Sequence, residues 1–281
     1  MERRDQLVIV RGGGDIATGV SYKLSRCGYP VLILESERPS AIRRKVAFSE
    51  AIYDGRAQVE DMRCFRAGNW AEAQAVMERG CPAILRDPKC RILKEVTPWA
   101  LVDGILAKRN LGTDRRMAPK TIALGPGFTA GVDVDLVVET MRGHNLGRLL
   151  EEGAALPDTG VPGKIAGYGR ERVVYAPAAG RLHVVCDIGT VVEAGQLIAE
   201  IIAEACQQRS RVPVVAAIPG VVRGMLREGF PVTEGLKLAD VDPRESEYEN
   251  CFRISDKARC IAGAVLEGLL YLEQLQKNRK R

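Results

Sequence analysis

The chain has 281 residues, and 41 Lys and Arg against 36 Asp and Glu give it a formal net charge of +5. Hydrophobic residues make up 46% of the sequence and charged residues 27%, a composition that excludes a disordered chain and fits a folded globular protein. The length favours two domains, because a single hydrophobic core stops growing at about 250 to 300 residues.

The sequence shows no segment of the kind that enters a membrane or binds nucleic acid. Its longest apolar run, residues 212–222, is far shorter than the roughly 20 residues that span a bilayer. The first residues, MERRDQ, lack the apolar stretch of a secretory signal, so we expect a cytoplasmic protein with no membrane partner. The basic residues 277–281 are typical of a solvated helix tail, so we expect no nucleic-acid partner.

The cysteine and histidine content argues against disulfides and structural metal. Eight cysteines are dispersed without a CxxC pair, which predicts thiols in a reducing compartment. Only His144 and His183 accompany them, so we predict no metal site.

The first third of the sequence predicts a nucleotide-type α/β unit. The elements in order are a strand over residues 7–10, a glycine turn, a helix over 16–27 and a second strand over 31–34 that ends at Glu35. Gly12, Gly14 and Ala17 fit the G-x-G-x-x-G/A pattern, in which glycines make the turn and let a phosphate approach. Glu35 follows Gly12 by 23 residues, near the spacing expected for an acid that binds a ribose.

Two readings of this turn stay open. It either binds a phosphate-bearing ligand or simply closes a strand-to-helix corner, with Glu35 as a solvated strand end. Asp15 would place a carboxylate beside the phosphate. The adjacent cations Arg43, Arg44 and Lys45 are predicted to lie near the end of the second strand, where they either pair with an anion or form a solvated loop.

Further along the chain, the alternation of helices and strands continues. We predict a helix over residues 69–80, a strand over 82–85, a helix over 98–108 and a strand over 121–124. The last strand enters a second glycine turn containing Gly125 and Gly127, at the edge where open α/β sheets bind ligands. Beyond it, Arg142 and His144 lie in a polar cluster suited to acid/base work or anion recognition, or to a plain polar turn.

The second half contains an internal repeat. Residues 172–201 and 212–241 align at a constant offset of 40 residues, with glycines at matching places. This pattern resembles the barrel-sandwich fold of biotinyl and lipoyl carrier domains, which is built from two such halves. The connection at residues 206–209 has no lysine, so we expect no covalent biotin or lipoate.

These observations together predict the fold class. We expect a Rossmann-like parallel sheet with helices over residues 1–165 and a barrel-sandwich-like β domain made of two repeated halves over 170–243. A C-terminal helix over 250–279, capped by Ser255, is expected to pack on the core.

Six separated motifs resemble one known family. They are RGGGDIATG, RRKVAFSEA, GPGFTAGVDVDLVVETMRGHNLGR, DTGVPG, LADVDPR and ISDKAR. In this order they resemble the YqeB-type selenium-dependent molybdenum hydroxylase system proteins, which are similar in part to XdhC-type proteins that handle the molybdenum cofactor. The resemblance implies a role in the maturation of molybdenum hydroxylases that carry labile selenium.

The resemblance and the residues together predict a maturation protein. It would handle a phosphate-bearing molybdopterin-type cofactor for a client molybdenum hydroxylase. Labile sulfur or selenium is a further possible cargo, with Cys27, Cys251 and Cys260 as candidate carriers. The alternatives are an NAD(P)-dependent oxidoreductase and an adaptor that binds no ligand. The sequence leaves open the oligomeric state and whether any reaction is catalysed.

The candidate cofactor-binding residues come from the two glycine turns, the basic segment and the polar cluster. They are Gly12, Gly13, Gly14, Asp15, Ala17, Thr18, Glu35, Arg43, Arg44, Gly125, Gly127, Arg142 and His144.

Overall fold

A computed structural model describes residues 3–205 and 208–279 of the chain. The chain separates into two compact units. The first contains Met1–Pro39, Ala47–Asp158 and Ile254–Arg281, and the second contains Ser40–Val46 and Thr159–Arg253.

The first unit is built on a nine-stranded sheet. Its elements are β1 (Val8–Arg11), α1 (Asp15–Arg26), β2 (Val31–Glu35), α2 (Ala51–Asp54), β3 (Arg56–Val59), β4 (Met62–Arg66), α3 (Trp70–Glu78), β5 (Ala83–Arg86), β6 (Ala100–Asp103), β7 (Thr121–Leu124), β8 (Thr129–Ala130), β9 (Leu136–Val138), β10 (Leu149–Leu150) and β11 (Gly153–Ala154). The order in the large sheet is β10-β9-β7-β6-β1-β2-β5-β4-β3, and β8 pairs with β11 separately.

The prediction of a Rossmann-like parallel sheet joined to a barrel-sandwich domain is wrong. The large sheet is mixed, because β3 runs antiparallel to β4 and β10 antiparallel to β9 at its two edges. The chain passes from β6 to β7 and from β7 to β9 through loops and short turns, whereas a doubly wound fold has a helix at each crossing. Several small antiparallel sheets complete the structure.

The predicted helix over residues 98–108 is also wrong. Residues 100–103 form β6, which lies between β1 and β7 in the sheet. Ala100, Leu101 and Val102 are all fully buried. A short apolar run buried on both faces has no alternation, so periodicity alone cannot separate it from a buried helical turn.

The C-terminal helix α4 (Asp256–Arg279) packs along α1. Gly19 permits the close approach, because a Cβ atom built there would lie 2.9 Å from the Cβ of Ala258. Further along both helices, the ammonium of Lys23 lies 3.4 Å from the carbonyl oxygen of Arg259. It also lies 3.6 Å from a Cβ built at Gly263. Residues later in α1 contact residues later in α4, so the two helices run in the same direction. Both begin at the carboxyl edge of the sheet.

The second unit contains β12 (Val173–Tyr175), β13 (Gly180–Val184), β14 (Val191–Val192), β15 (Leu197–Ala205), β16 (Gln208–Val215), β17 (Gly220–Met225), β18 (Pro231–Val232) and β19 (Lys237–Asp242). They form two four-stranded sheets, β12-β19-β17-β14 and β16-β15-β13-β18. Strands β13, β14 and β15 begin 40 residues before β17, β18 and β19. Each sheet takes strands from both repeats, so neither repeat has a complete sheet of its own.

Part of the connection between the repeats, Cys206 and Gln207, lies outside the described residues, as do the last two residues of the basic tail. Over the described ranges, no helix has both the length and the apolar character needed to cross a bilayer.

Candidate functional site

The carboxyl ends of the parallel strands bring the polar residues of the first unit to one edge of its sheet. β1 is followed by the glycine turn, and β2 ends at Glu35. β6 ends at Asp103, β7 leads into Gly125, and β9 leads into Glu139. This edge is where open α/β sheets place ligands.

Hydrogen bonds with other segments of the chain hold the glycine turn after β1 in place. The Gly12 amide donates to the Leu34 carbonyl at 2.8 Å. The Gly13 carbonyl accepts from the Ser49 amide at 2.9 Å and from the Thr18 hydroxyl at 3.1 Å. A Cβ atom built at Gly13 would lie 3.0 Å from the Ser49 nitrogen. The turn therefore packs against the chain at Gly13, and Thr18 is a buried structural hydroxyl.

The Glu35 side chain is hydrogen-bonded to the same glycine turn. Its carboxylate accepts from the Gly13 amide at 2.7 Å and from the Ser36 amide at 2.6 Å. The Gly13 N–H therefore has a protein acceptor. Gly14 is the N-cap of α1. A Cβ built on it would have no heavy atom of the described chain within 4 Å beyond its immediate neighbours.

Ala17 has a packing role in the first turn of α1. It is fully buried, and its Cβ would lie 2.9 Å from a Cβ built at Gly104. The small residue expected at this position thus lets the loop after β6 approach the helix, as the glycine-turn pattern requires.

A buried network of an ion pair and hydrogen bonds lies at the ends of β1 and β6, next to the glycine turn. Sequence reasoning missed it. The Arg11 guanidinium contacts the Asp103 carboxylate at 3.3 Å and also donates to the Thr113 hydroxyl. Asp103 accepts further hydrogen bonds from Thr113 and from the Ile105 amide. An arginine at the end of an otherwise apolar strand was the available signal, because a buried charge needs a partner.

The second glycine turn is shaped by close packing. Gly125 has φ +73°, and a Cβ there would lie 2.6 Å from the Thr140 hydroxyl. Gly127 has φ +105°, and a Cβ there would lie 2.5 Å from the Cα of Arg109. A larger residue at either position would clash with the neighbouring segment and strain the backbone. Both positions therefore need glycine, whatever ligand this edge of the sheet binds.

A cluster of charges, which we call the Lys257 cluster, surrounds the start of α4. It consists of Lys257, Arg142, Asp15, Glu139 and Asp158. Burial and the nearby Arg142 guanidinium lower the pKa of Lys257, while the three carboxylates act in the opposite direction. Lys257 is half-buried. Lys257 was not among the predicted site residues, and its place in the ISDKAR motif was the available signal.

Two neighbours hold the Lys257 cluster in place. Arg142, one of the predicted site residues, donates to the Asp256 carboxylate at 2.9 Å, and Lys108 pairs with Asp158. The Glu139 carboxylate is buried and accepts from the Met141 and Leu156 amides at 2.7 and 2.8 Å. The Glu139 carboxylate is therefore fixed by backbone amides, and Arg142 is held by Asp256. His144 is exposed in the same turn as Arg142.

Arg43 and Arg44 lie in the second unit. Arg43 donates to the carbonyls of Asn250 and Arg253 at 2.9 and 3.2 Å. Arg44 donates to the Met225 carbonyl at 2.7 Å and pairs with Asp187. These guanidinium groups hold together segments of that unit.

A cleft of about 500 Å³ lies at the same edge of the large sheet, where β4 and β5 end. Arg66, Arg86 and Arg91 line it, together with the acids Asp87 and Glu95. Arg66 and Arg86 both donate to the Ile52 carbonyl at 2.9 Å, which fixes the direction of two of the three guanidinium groups. We call this the arginine cleft.

The thiols differ in accessibility. Cys251 is 1% exposed and burial raises the pKa of its thiol, whereas Cys27 is half-buried and Cys260 is exposed. The Cys260 thiol donates to the Leu146 carbonyl at 3.4 Å. Of the proposed carriers, Cys251 is thus the least suited to exchange sulfur or selenium. No group of three His, Cys, Asp or Glu side chains able to hold a metal is found in the described ranges.

The fold and site define an α/β protein with a glycine turn and flanking cations at the carboxyl edge of a mixed sheet, together with a repeated antiparallel β unit. Over 267 residues, 95% of its length, the chain is 46% identical to the uncharacterized protein YqeB of Escherichia coli strain K12. The chain spans 48% of the length of that relative. No protein-family model matches the chain.

Solved structures show only a distant likeness. An aspartoacylase family protein from Mesorhizobium loti is 12% identical, with a TM-score of 0.29 and 84% of each chain covered. A succinylglutamate desuccinylase/aspartoacylase from Rhodobacter sphaeroides is 14% identical, with a TM-score of 0.29 and coverage of 84% of this chain and 85% of that one. Likeness at this level supports no conclusion about fold or function.

Proposed function

We propose that this protein holds a small phosphate-bearing molecule at the carboxyl edge of its large sheet, as a step in the maturation of selenium-dependent molybdenum hydroxylases. The pathway rests on the six sequence motifs, and the chemistry of the ligand rests on the site. The client hydroxylase is the protein partner that this role requires.

The observation that carries the proposal is the open start of α1 beside two cations. Helix amides at an N-terminus point outward and carry partial positive charge, which favours an anion. At Gly14 the space is open, and Lys257 and Arg142 belong to the charge cluster that includes Asp15 of the same first turn. Amides, ammonium and guanidinium together are the donors that a phosphate takes in proteins.

The arginine cleft supplies a second anion-binding position in the same unit. β1 and β5 are separated in the sheet by β2 alone, which puts the glycine turn and the cleft about 10 Å apart at ordinary strand spacing. A molecule with two negatively charged ends separated by a planar body would span this distance. A molybdopterin-type cofactor carries phosphate groups, and one of these two positions would bind them.

The residues present fit such a cofactor at its phosphates. The α1 amides, Lys257 and Arg142 would hold one phosphate group, and Arg86 and Arg91 would hold a second anionic part. When bound, the cofactor supplies the molybdenum centre that the client hydroxylase needs. The chain's own residues bind and orient it, and the buried Arg11–Asp103 pair keeps the turn in place.

The test is retention of the cofactor by the full chain. Purified protein is dialysed against molybdenum cofactor released from a purified hydroxylase, and retained molybdenum is measured by mass spectrometry. Lys257→Met and Arg142→Gln should each lower the affinity about tenfold, the effect of losing one charge-assisted hydrogen bond. Lys277→Met, at the exposed far end of α4, and Arg116→Gln, on an exposed turn, are the matched controls.

The outcome separates the hypotheses. Retention that falls in the two site variants and persists in the two controls supports the proposal, and excess inorganic pyrophosphate should then displace the cofactor. Absence of retention by the wild-type chain contradicts the proposal, and so does equal retention by all four variants.

A further inference from the structure

A second cavity lies at the opposite edge of the large sheet, away from the glycine turn. It has a volume of about 570 Å³, within the range of small-molecule sites. Leu7, Pro30 and Cys81, which line it, come directly or shortly before β1, β2 and β5. The cavity therefore lies at the amino ends of these parallel strands.

Aromatic and apolar side chains form its walls. Trp70 and Met77 reach it from α3, where they lie seven residues apart on one face. Ala73 and Val76 of the same helix are buried in the core, so the face bearing Trp70 and Met77 is offset from the core toward the cavity. Tyr29 contributes from the segment after α1. An apolar body would therefore be covered by protein on several sides.

The electrostatics of this cavity are those of a cation site. α1 ends at Arg26 and α3 at Glu78, and Gly28 and Gly80 just beyond these ends line the cavity. The carboxyl end of a helix carries partial negative charge from its free carbonyls. Two such ends meet here, and the carboxylates of Asp5 and Glu78 join them against the single guanidinium of Arg4 in the lining.

The chain itself already places a cation beside this cavity. The Arg3 guanidinium lies 5.5 Å from the centre of the Tyr29 ring and donates to the Cys27 carbonyl at 3.0 Å. It thus already covers the Tyr29 ring, which also stacks on Trp99, and one carbonyl at the end of α1. To a ligand the cavity offers the Trp70 side chain, the end of α3 and the carboxylates of Asp5 and Glu78.

From this combination we propose that the cavity binds a small organic cation with an apolar or aromatic body. The ammonium would lie toward the two helix ends and Glu78, and the body would lie against Trp70 and Met77. Trp70 also lines the arginine cleft, so Gln74 and Glu78, which line this cavity alone, distinguish the two sites; the proposal does not rest on the function proposed for the phosphate-binding edge.

The experiment uses a charge series of probes on the full chain. The chain has two tryptophans, and Trp99→Phe leaves Trp70 as the single fluorescent reporter. This protein is titrated with benzyltrimethylammonium chloride, benzyl alcohol and sodium benzoate, which share a ring and differ in charge. We expect saturable fluorescence change with the cation, at least tenfold weaker binding of the alcohol, and none of benzoate.

Surface variants locate the bound probe without disturbing the core. Gln74→Arg adds a cation to the cavity face of α3, and Glu78→Gln removes a carboxylate; both positions are exposed. We expect the affinity for benzyltrimethylammonium to fall about tenfold in the first and about threefold in the second. Glu193→Gln, an exposed acid of the second unit, is the control and should bind like the parent.

Three results would overturn the proposal. They are the absence of a saturable response to the cation, equal affinity for the cation and benzyl alcohol, and unchanged affinity in both Gln74→Arg and Glu78→Gln. Circular dichroism of each variant checks that its fold is intact.

Discussion

Arg11 and Asp103 stand opposite each other at the ends of β1 and β6 and form an ion pair with an N–O distance of 3.3 Å. Arg11 is 3% exposed and Asp103 1%. The Arg11 carbonyl also accepts from the Gly104 amide at 2.8 Å. The pair thus links the strand that precedes the glycine turn to the loop that packs on it, and the proposed phosphate site depends on this link.

Removing one partner of this pair should strongly destabilise the first unit. Asp103→Ala leaves the Arg11 charge buried without its carboxylate, which costs about 3 to 5 kcal/mol of unfolding free energy. Urea denaturation followed by circular dichroism measures the loss. Arg116→Ala breaks an exposed pair with Asp114 but keeps the backbone amide that Asp114 caps, so it should leave the denaturation midpoint nearly unchanged; similar midpoints for the two variants would contradict this role.

The glycine turns should differ in their tolerance of a methyl group. Gly127→Ala places a Cβ 2.5 Å from the Arg109 Cα at a positive φ, so we expect a loss of about 3 kcal/mol from overpacking and backbone strain. Gly14→Ala adds the same atom in open space at φ −65° and should keep wild-type stability. Equal thermal denaturation midpoints for the two variants would argue against the packing described.

The stability contributed by Lys257 should depend on pH in a defined direction. Burial lowers the pKa of Lys257 in the folded chain below its usual value of 10.5. Between the two pKa values the unfolded chain binds more protons, so the stability of the wild type rises with pH in that window. Below the folded pKa the cost of burying the ammonium is fully present.

Lys257→Met should remove this rise because it keeps the buried stem and lacks the amine. Urea midpoints between pH 7 and 10 measure the effect as the difference between wild type and variant. Lys277→Met, which removes an exposed amine from the same helix, should follow the wild type. A wild-type curve parallel to that of Lys257→Met would show that the amine is not buried in the folded chain.

Glu35→Gln distinguishes a phosphate site from a nicotinamide cofactor site. The change weakens the hydrogen bonds from the Gly13 and Ser36 amides, at a cost of about 1 to 2 kcal/mol. It also removes a negative charge near the turn, so retention of the molybdenum cofactor should increase. If Glu35 instead binds the ribose of NADH, nicotinamide fluorescence should report wild-type binding that the variant loses.

Sequence patterns located many elements of this fold. The 40-residue offset matched glycines and apolar positions, and the strands that begin at Gly180 and Gly220 follow it. The strand, turn and helix from β1 to α1 could be placed because a buried strand, a glycine turn and an amphipathic helix each leave a local pattern. By contrast, the three apolar residues of β6, Ala100, Leu101 and Val102, show no alternation that would separate a strand from a helix.

The candidate site was only partly accessible to such reasoning. The glycine turn and Arg142 were predicted as site residues, and this stays a prediction; the partners of Glu35, Arg11 and Lys257 were not predicted. Arg43 and Arg44 were assigned to a phosphate, whereas they lie in the second unit and bind backbone carbonyls there. A charged side chain's role depends on which groups surround it, and these come from distant parts of the chain.

By itself the sequence determined where many of the strands, turns and helices begin, because periodicity, glycine and helix caps act over a few neighbouring residues. Only the tertiary structure decided that the sheet is mixed, that Gly13 binds Glu35, and that Lys257 joins Asp15 and Glu139 at one edge. Strand pairing, burial and charge proximity are set by contacts between residues far apart in the chain. A local sequence pattern does not predict these contacts.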